Sequence, residues 1–229
     1  MSLIKSNSLA ATVQGFDEAM WSGQSISRTE KIAGARWIAN RCGLEGSYEG
    51  MPAPTRKDFA GGIRLFTGEK VSSGAGVSHI LGQEACRMLV VFGVNLPEVK
   101  ASLRTANEGI SARVYSASNT HLKLGMYCCA VCSCAMWRHL AVGGLKEQSL
   151  VLKRAVRTLR SRRDGKGRWR GFPFYYALLV LSEMNVADAD NEIVYARGAC
   201  ERSLARLKSK DRIGKRRRLL LEKLLNGYS

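Results

Sequence analysis

Apolar residues recur along most of this chain at helical spacing, and the runs are separated by short glycine-bearing breaks. Over 146–162, Leu150, Leu152, Ala155, Val156 and Leu159 form an apolar stripe with Lys and Arg opposite. Ile32, Ala35, Ala39 and Cys42 keep the same period behind Ser27 and Glu30. Ser27 and Glu30 read as a capping box, in which the Ser hydroxyl caps a free N–H and the Glu reaches back. Thr55 with Asp58 starts another helix, running to about 66. Pro97 stands where a helix begins, because its missing N–H would be unused there. The pattern predicts helices at about 9–21, 27–42, 55–66, 77–93, 97–107, 119–141, 146–162, 173–184, 189–208 and 212–226. Gly109–Ser118 reads as mixed, with 111–117 the segment closest to an extended one. The expected fold class is all-α, built from helical hairpins.

An internal echo organises the hairpins. Ile38 and Arg41 followed by Gly46-Ser47-Tyr48 match Leu159 and Arg162 followed by Gly167-Arg168-Trp169, each position 121 residues apart. Both copies end a helix and carry Gly, a spacer and an aromatic. Such a turn lets the aromatic fold back on the helix before it, as in helical repeats. RRDGKGRW at 162–169, followed by FPFYYALLVL, resembles the repeat turn of the α/α-toroid proteins, the terpene cyclases and protein prenyltransferases. CGLEGSY at 42–48 is similar. The resemblance implies helical hairpin repeats forming part of an α/α-toroid-like fold. Phe172, Phe174, Tyr175 and Tyr176 would then line a cavity, with Trp169 at the turn. It covers about 60 residues, and a cyclase Asp-rich motif and a prenyltransferase zinc set are both missing. A full toroid needs about twice this length, so the resemblance implies that this chain supplies only part of one or pairs with a second copy of itself.

Length and composition fit a globular protein. The 229 residues are 45% hydrophobic and 24% charged, with 4 Pro and 23 Gly. That suits a single helical domain over 1–229, or two halves, 1–110 and 111–229. The net charge of +17 is uneven: residues 1–150 carry a basic surplus of 5 and residues 151–229 a surplus of 12. A field of that size attracts polyanions, either nucleic acid or an anionic surface. Arg162, Arg163, Lys166, Arg168 and Arg170, with Lys215, Arg216, Arg217 and Arg218, are the candidate contacts. A solvated basic surface with no partner reads the same way. No run reaches the roughly 18–20 apolar residues of a transmembrane helix. The first residues lack a signal-peptide core, and the expected setting is cytoplasmic.

Four of the 7 cysteines crowd into 128–134. On a helix, Cys128 and Cys132 are one turn apart, and so are Cys129 and Cys132. Cys128, Cys129 and Cys132 are therefore candidate ligands for a thiophilic ion such as Zn, with His79, Glu84 or Cys86 to complete the set. His121 and His139 share the face, but they lie too far apart along the axis for one ion. Cys129-x-x-Cys132 also has dithiol spacing, though no βαβ pattern surrounds it. The competing reading is that small cysteines pack a core. Three functions follow: a binding or interaction module, a cyclase-like or prenyltransferase-like enzyme with an aromatic cavity, and a basic nucleic-acid-binding module.

Overall fold

The computed structural model describes residues 2–115, 124–145, 148–208 and 210–227, and they form an all-α protein with one two-stranded β-hairpin. The elements fall into two compact units. The first holds α1 (Leu9–Trp21), α2 (Arg28–Ala39), α3 (Arg56–Gly61), β1 (Ile63–Arg64), β2 (Lys70–Val71), α4 (Gly74–Phe92) and α5 (Pro97–Val114). The second holds α6 (Ala130–Ala141), α7 (Gln148–Ser161), α8 (Phe174–Glu183), α9 (Ala187–Arg206) and α10 (Arg212–Gly227), together with Leu65–Glu69. Among the described residues, no helix is long and apolar enough to cross a membrane.

In the first unit, both capping boxes form. Ser27 and Glu30 close one, and Thr55 and Asp58 the other. The Asp58 carboxylate also accepts from the Ser8 hydroxyl at 2.6 Å and the Leu9 N–H at 2.9 Å. One buried side chain thus fixes the starts of α1 and α3. α4 packs against α1, α2, α3 and α5. It is buried along most of its length, from Val77 to Phe92, as its nearly all-round apolar sequence requires. Its one buried cation, Arg87, sits with Asp17 of α1 and donates to Glu84 at 2.9 Å.

In the second unit, α8 is the central helix. Tyr176 to Leu181 are all buried, and α8 packs against α6, α9 and α10. The Trp137 indole on α6 is fully buried and donates to the Gly125 carbonyl at 2.6 Å. Arg138 grips Glu183 with two bonds, at 2.7 and 2.8 Å. α7 buries Val151, Leu152, Ala155, Val156 and Leu159, while Leu150 of the predicted stripe is exposed.

Three boundaries differ from the sequence expectation. The third helix stops at Gly61, where Gly62 turns at φ +63° and leads into the hairpin, instead of continuing to 66. α5 continues through Gly109 to Val114, so 111–114 is helical and not extended. Gly109 is a packing residue: a Cβ there would collide with the Glu49 backbone. α6 begins at Ala130, and 124–129 is a turn segment; the predicted start at 119 lies outside the described residues.

The echo extends beyond its five matched positions. Gly46 and Gly167 adopt φ +85° and +89°, and Gly50 and Gly171 adopt +70° and +79°. Pro52 and Pro173 follow at the same offset, giving G-x-aromatic-x-G-apolar-P in both copies. α1 and α6 also correspond. Thr12 donates to the Ser8 carbonyl at 3.0 Å, and Ser133 donates to the Cys129 carbonyl at 2.6 Å, again 121 residues on.

Candidate anion site and thiol cluster

In the second unit, the turn between α7 and α8 is built to present backbone and cations to α9. Gly165 and Gly167 take positive φ, which frees the chain to curl tightly. Asp164 holds the curl from inside: its carboxylate accepts N–H from Lys166 at 2.7 Å and Arg168 at 2.9 Å. These bonds, the one from Arg168 foremost, hold its carboxyl below the usual carboxylate range. The Tyr195 hydroxyl accepts N–H from Gly165 at 2.9 Å and also meets Asp164 at 3.1 Å. Behind the turn, Trp169 is buried, and its indole N–H donates to Glu192 at 3.0 Å. Glu192 is fully buried and is also gripped by Arg163 at 2.9 and 3.1 Å.

Between this turn and the C-terminal half of α9 lies a cavity of about 380 Å³. Lys166 and Arg168 line it from the turn, and Arg202 and Arg206 from the helix. Arg168 donates to the Ser203 hydroxyl at 3.3 Å, and its guanidinium lies 4.3 Å from the centre of the Phe174 ring. Arg202 donates to the Lys166 carbonyl at 2.8 Å. Among the described residues, Asp164 is the one carboxylate in the lining, and its Oδ1 holds the turn. The cavity thus offers four cations on fixed elements, which suits a ligand carrying several negative charges.

The other candidate basic residues divide. Arg162, Arg170 and Lys215 are exposed. Arg163 serves Glu192 and stacks 4.2 Å from Tyr195. Arg216 is buried, donates to the Phe66 carbonyl at 3.1 Å and lies 4.3 Å over its ring. Arg217 donates to the Thr67 carbonyl at 2.6 Å, and Arg218 to the Leu207 carbonyl at 3.2 Å. The last four therefore hold the unit together. Arg202 and Arg206 stand outside the candidate contacts read from the sequence. Their signal was their i,i+4 spacing on one helix face.

The aromatics fill space more than they line it. Trp169, Phe174 and Tyr176 are buried, and Phe172 stacks on Trp137 at 5.6 Å. Tyr175 alone of the five reaches the 380 Å³ cavity, with the Arg217 guanidinium 4.2 Å over its ring. The matching turn of the first unit also borders a cavity, of about 690 Å³, but its lining mixes Arg41 and Arg56 with Glu45. Arg41 is spent there on the Ala53 and Pro54 carbonyls.

The thiols of Cys128, Cys129 and Cys132 come together at the start of α6. The Cys128 and Cys132 sulfurs lie within 4.8 Å of each other, and both thiols hydrogen-bond to Cys129. Cys129 precedes the first residue of α6, and its carbonyl accepts the Ser133 N–H at 2.9 Å. Its sulfur also accepts from the Val131 and Cys132 N–H groups. Hydrogen bonds from Cys128 first, then Cys132, pull the Cys129 thiol well below its ordinary range, while bonds to Cys128 first, then Cys129, push Cys132 up. Cys129 is exposed and Cys132 is buried. Of the three, the Cys128 and Cys132 sulfurs are close enough together to serve a soft ion. Of the residues considered as completing ligands, Glu84 is paired with Arg87 and Cys86 is fully buried. His79 lies 4.0 Å from Tyr48, ring to ring. His139 is buried in α6, and His121 lies outside the described residues.

No family model, curated protein or solved structure matches the chain.

Proposed function

We propose that this protein is a helical binding module whose ligand is a polyanion, the phosphate backbone of a nucleic acid being the class its charge fits. The observation that carries the reading is the cavity between the 164–170 turn and α9, where Lys166, Arg168, Arg202 and Arg206 converge beside a single carboxylate, Asp164, whose Oδ1 holds the turn. Guanidinium forks on a rigid turn and helix match phosphate oxygens in geometry as well as charge. The surplus of 12 basic residues over 151–229 adds a long-range field that draws the same ligand. Exposed Arg162, Arg170 and Lys215 are further contacts available to a strand that extends past the cavity.

The two turns at the same offset support a repeated-hairpin, toroid-like architecture, with the second turn specialised for binding. An enzyme with an aromatic cavity draws less support, because the aromatics after the second turn pack in the core. Nothing in the cavity pairs a nucleophile with a base.

Titration of labelled single-stranded RNA and DNA at two salt concentrations tests the proposal. Four phosphate contacts predict a loss of affinity on the order of 50- to 150-fold between 50 and 200 mM salt. Affinity that does not change with salt contradicts it.

A further inference from the structure

We infer that the cavity between the 164–170 turn and α9 takes one unstacked nucleotide of a single strand, its phosphate on the cations and its base against the ring of Tyr175. The inference rests on the polyanion reading of the same cavity. It adds the substrate class, single-stranded nucleic acid, and a residue that contacts the base.

Cations alone do not make up the cavity wall. Tyr175 and Leu207 line it beside Lys166, Arg168, Arg202 and Arg206. Both are only half-buried, so each keeps surface for a ligand to cover. An inorganic polyphosphate would use the cations and leave that surface in water. A nucleotide uses both, because it joins a charged phosphate to a flat ring that stacks on aromatic side chains.

The Tyr175 ring is fixed before any ligand arrives. Phe174 meets it edge to face, with 5.3 Å between centroids and 66° between planes. The Arg217 guanidinium lies 4.2 Å over the same ring, and Arg217 is itself held by the Thr67 carbonyl at 2.6 Å. Arg218 holds the Leu207 carbonyl at 3.2 Å. With one face of Tyr175 taken by Arg217, a base stacks on the opposite face. A ring already held in place loses little rotamer freedom on stacking. Arg168 connects the two parts of the site: it reaches the cavity, and its guanidinium lies 4.3 Å from the centre of the Phe174 ring that abuts Tyr175.

Size and shape point the same way. A cavity of about 380 Å³ stands at the small end of the range of about 300–1,000 Å³ for ligand sites. A duplex keeps its bases paired and stacked, so it meets the cations with phosphates but reaches Tyr175 only by flipping a base out. A single strand pays less to splay one base.

The experiment measures fluorescence anisotropy of the full-length chain with three labelled probes: a 20-nucleotide single strand, an abasic strand with the same phosphates, and the blunt duplex of the first strand. The wild type is expected to bind the single strand about five- to 150-fold more tightly than the abasic strand. Tyr175→Ala should remove that advantage and leave affinity for the abasic strand and the duplex within about twofold of wild type. Tyr175→Phe keeps the ring and should keep the advantage. Circular dichroism checks the fold of each variant, and the wild-type comparison of the two strands decides alone if Tyr175→Ala unfolds. Equal wild-type affinity for the two strands overturns the inference and leaves the polyanion reading standing. The inference is also overturned if folded Tyr175→Ala weakens all three probes alike, or if Tyr175→Phe loses as much as Tyr175→Ala. Absence of binding to every probe overturns both readings.

Discussion

Arg168 on the α7–α8 turn donates to the Ser203 hydroxyl on α9 at 3.3 Å, and this link fixes one wall of the anion cavity to the other. A cation held at both ends is preorganised: less rotamer freedom remains to be lost when a ligand arrives. Ser203→Ala should therefore weaken oligonucleotide binding modestly, about two- to fivefold, with unfolding stability within about 1 kcal/mol of wild type. Parallel binding and urea titrations check this.

Gly167 sets how closely that turn approaches α9. Its φ is +89°, and a Cβ would lie 2.9 Å from the Ala199 Cβ. Gly167→Ala should cost about 1–3 kcal/mol through left-handed strain and overlap. It should weaken anion binding as well, because Lys166 and Arg168 shift with the turn. Gly165→Ala meets nothing within 4 Å, so it carries only the backbone strain and should cost less. Chemical denaturation of the two variants gives the comparison.

Glu192 is the buried anchor behind the cavity. It takes a bond from the Trp169 indole and two from Arg163, with Arg160 at 3.3 Å. Glu192→Ala should lose about 3–5 kcal/mol, since cations and an indole N–H are left without their shared acceptor. Trp169→Phe removes one of those bonds and should cost about 1–2 kcal/mol. Both losses are read from urea midpoints.

Buried thiols make the fold sensitive to alkali. Burial pushes the Cys200 thiol up from 9.0 to about 11 and drives Cys86 and Cys134 in the same direction. A raised folded pKa means that the stabilisation is present in full below the unfolded value and is lost as pH rises through the folded one. The melting temperature should therefore fall between about pH 9 and pH 11. Cys200→Ala should flatten part of that fall. A profile as steep as the wild type's in the variant would assign the loss to other groups.

Much of the helix pattern can be read in the chain because it rests on local chemistry. Ser27 with Glu30 and Thr55 with Asp58 mark helix starts by side chains three residues apart, and both boxes form. Pro97 begins α5 as expected. The boundaries that were misread depend on distant neighbours. Gly109 looks like a helix breaker, yet it sits inside α5 because the Glu49 backbone passes where a side chain would stand. Each strand of β1 and β2 has two residues, too few to show an alternation. The roles of the basic residues were hidden for the same reason: Arg216 and Lys215 are adjacent in sequence, but the first is buried on Phe66 and the second is exposed. The cysteine cluster could be located from spacing alone. Which thiol is exposed and which is buried depends on where α6 begins.

The most direct test compares two charge-matched double variants by fluorescence anisotropy with labelled single-stranded RNA and DNA. R168A/R202A removes two cations from the cavity, while R28A/R104A removes two exposed cations from the first unit. The account predicts that the cavity variant loses at least tenfold in affinity. It also predicts that the variant's log–log salt slope falls by about 1.4–1.8. The first-unit variant should stay within about threefold of wild type, as expected for charges that act only through the long-range field. Equal losses in the two variants would show that net charge alone attracts the ligand, and would contradict a site at the α7–α8 turn.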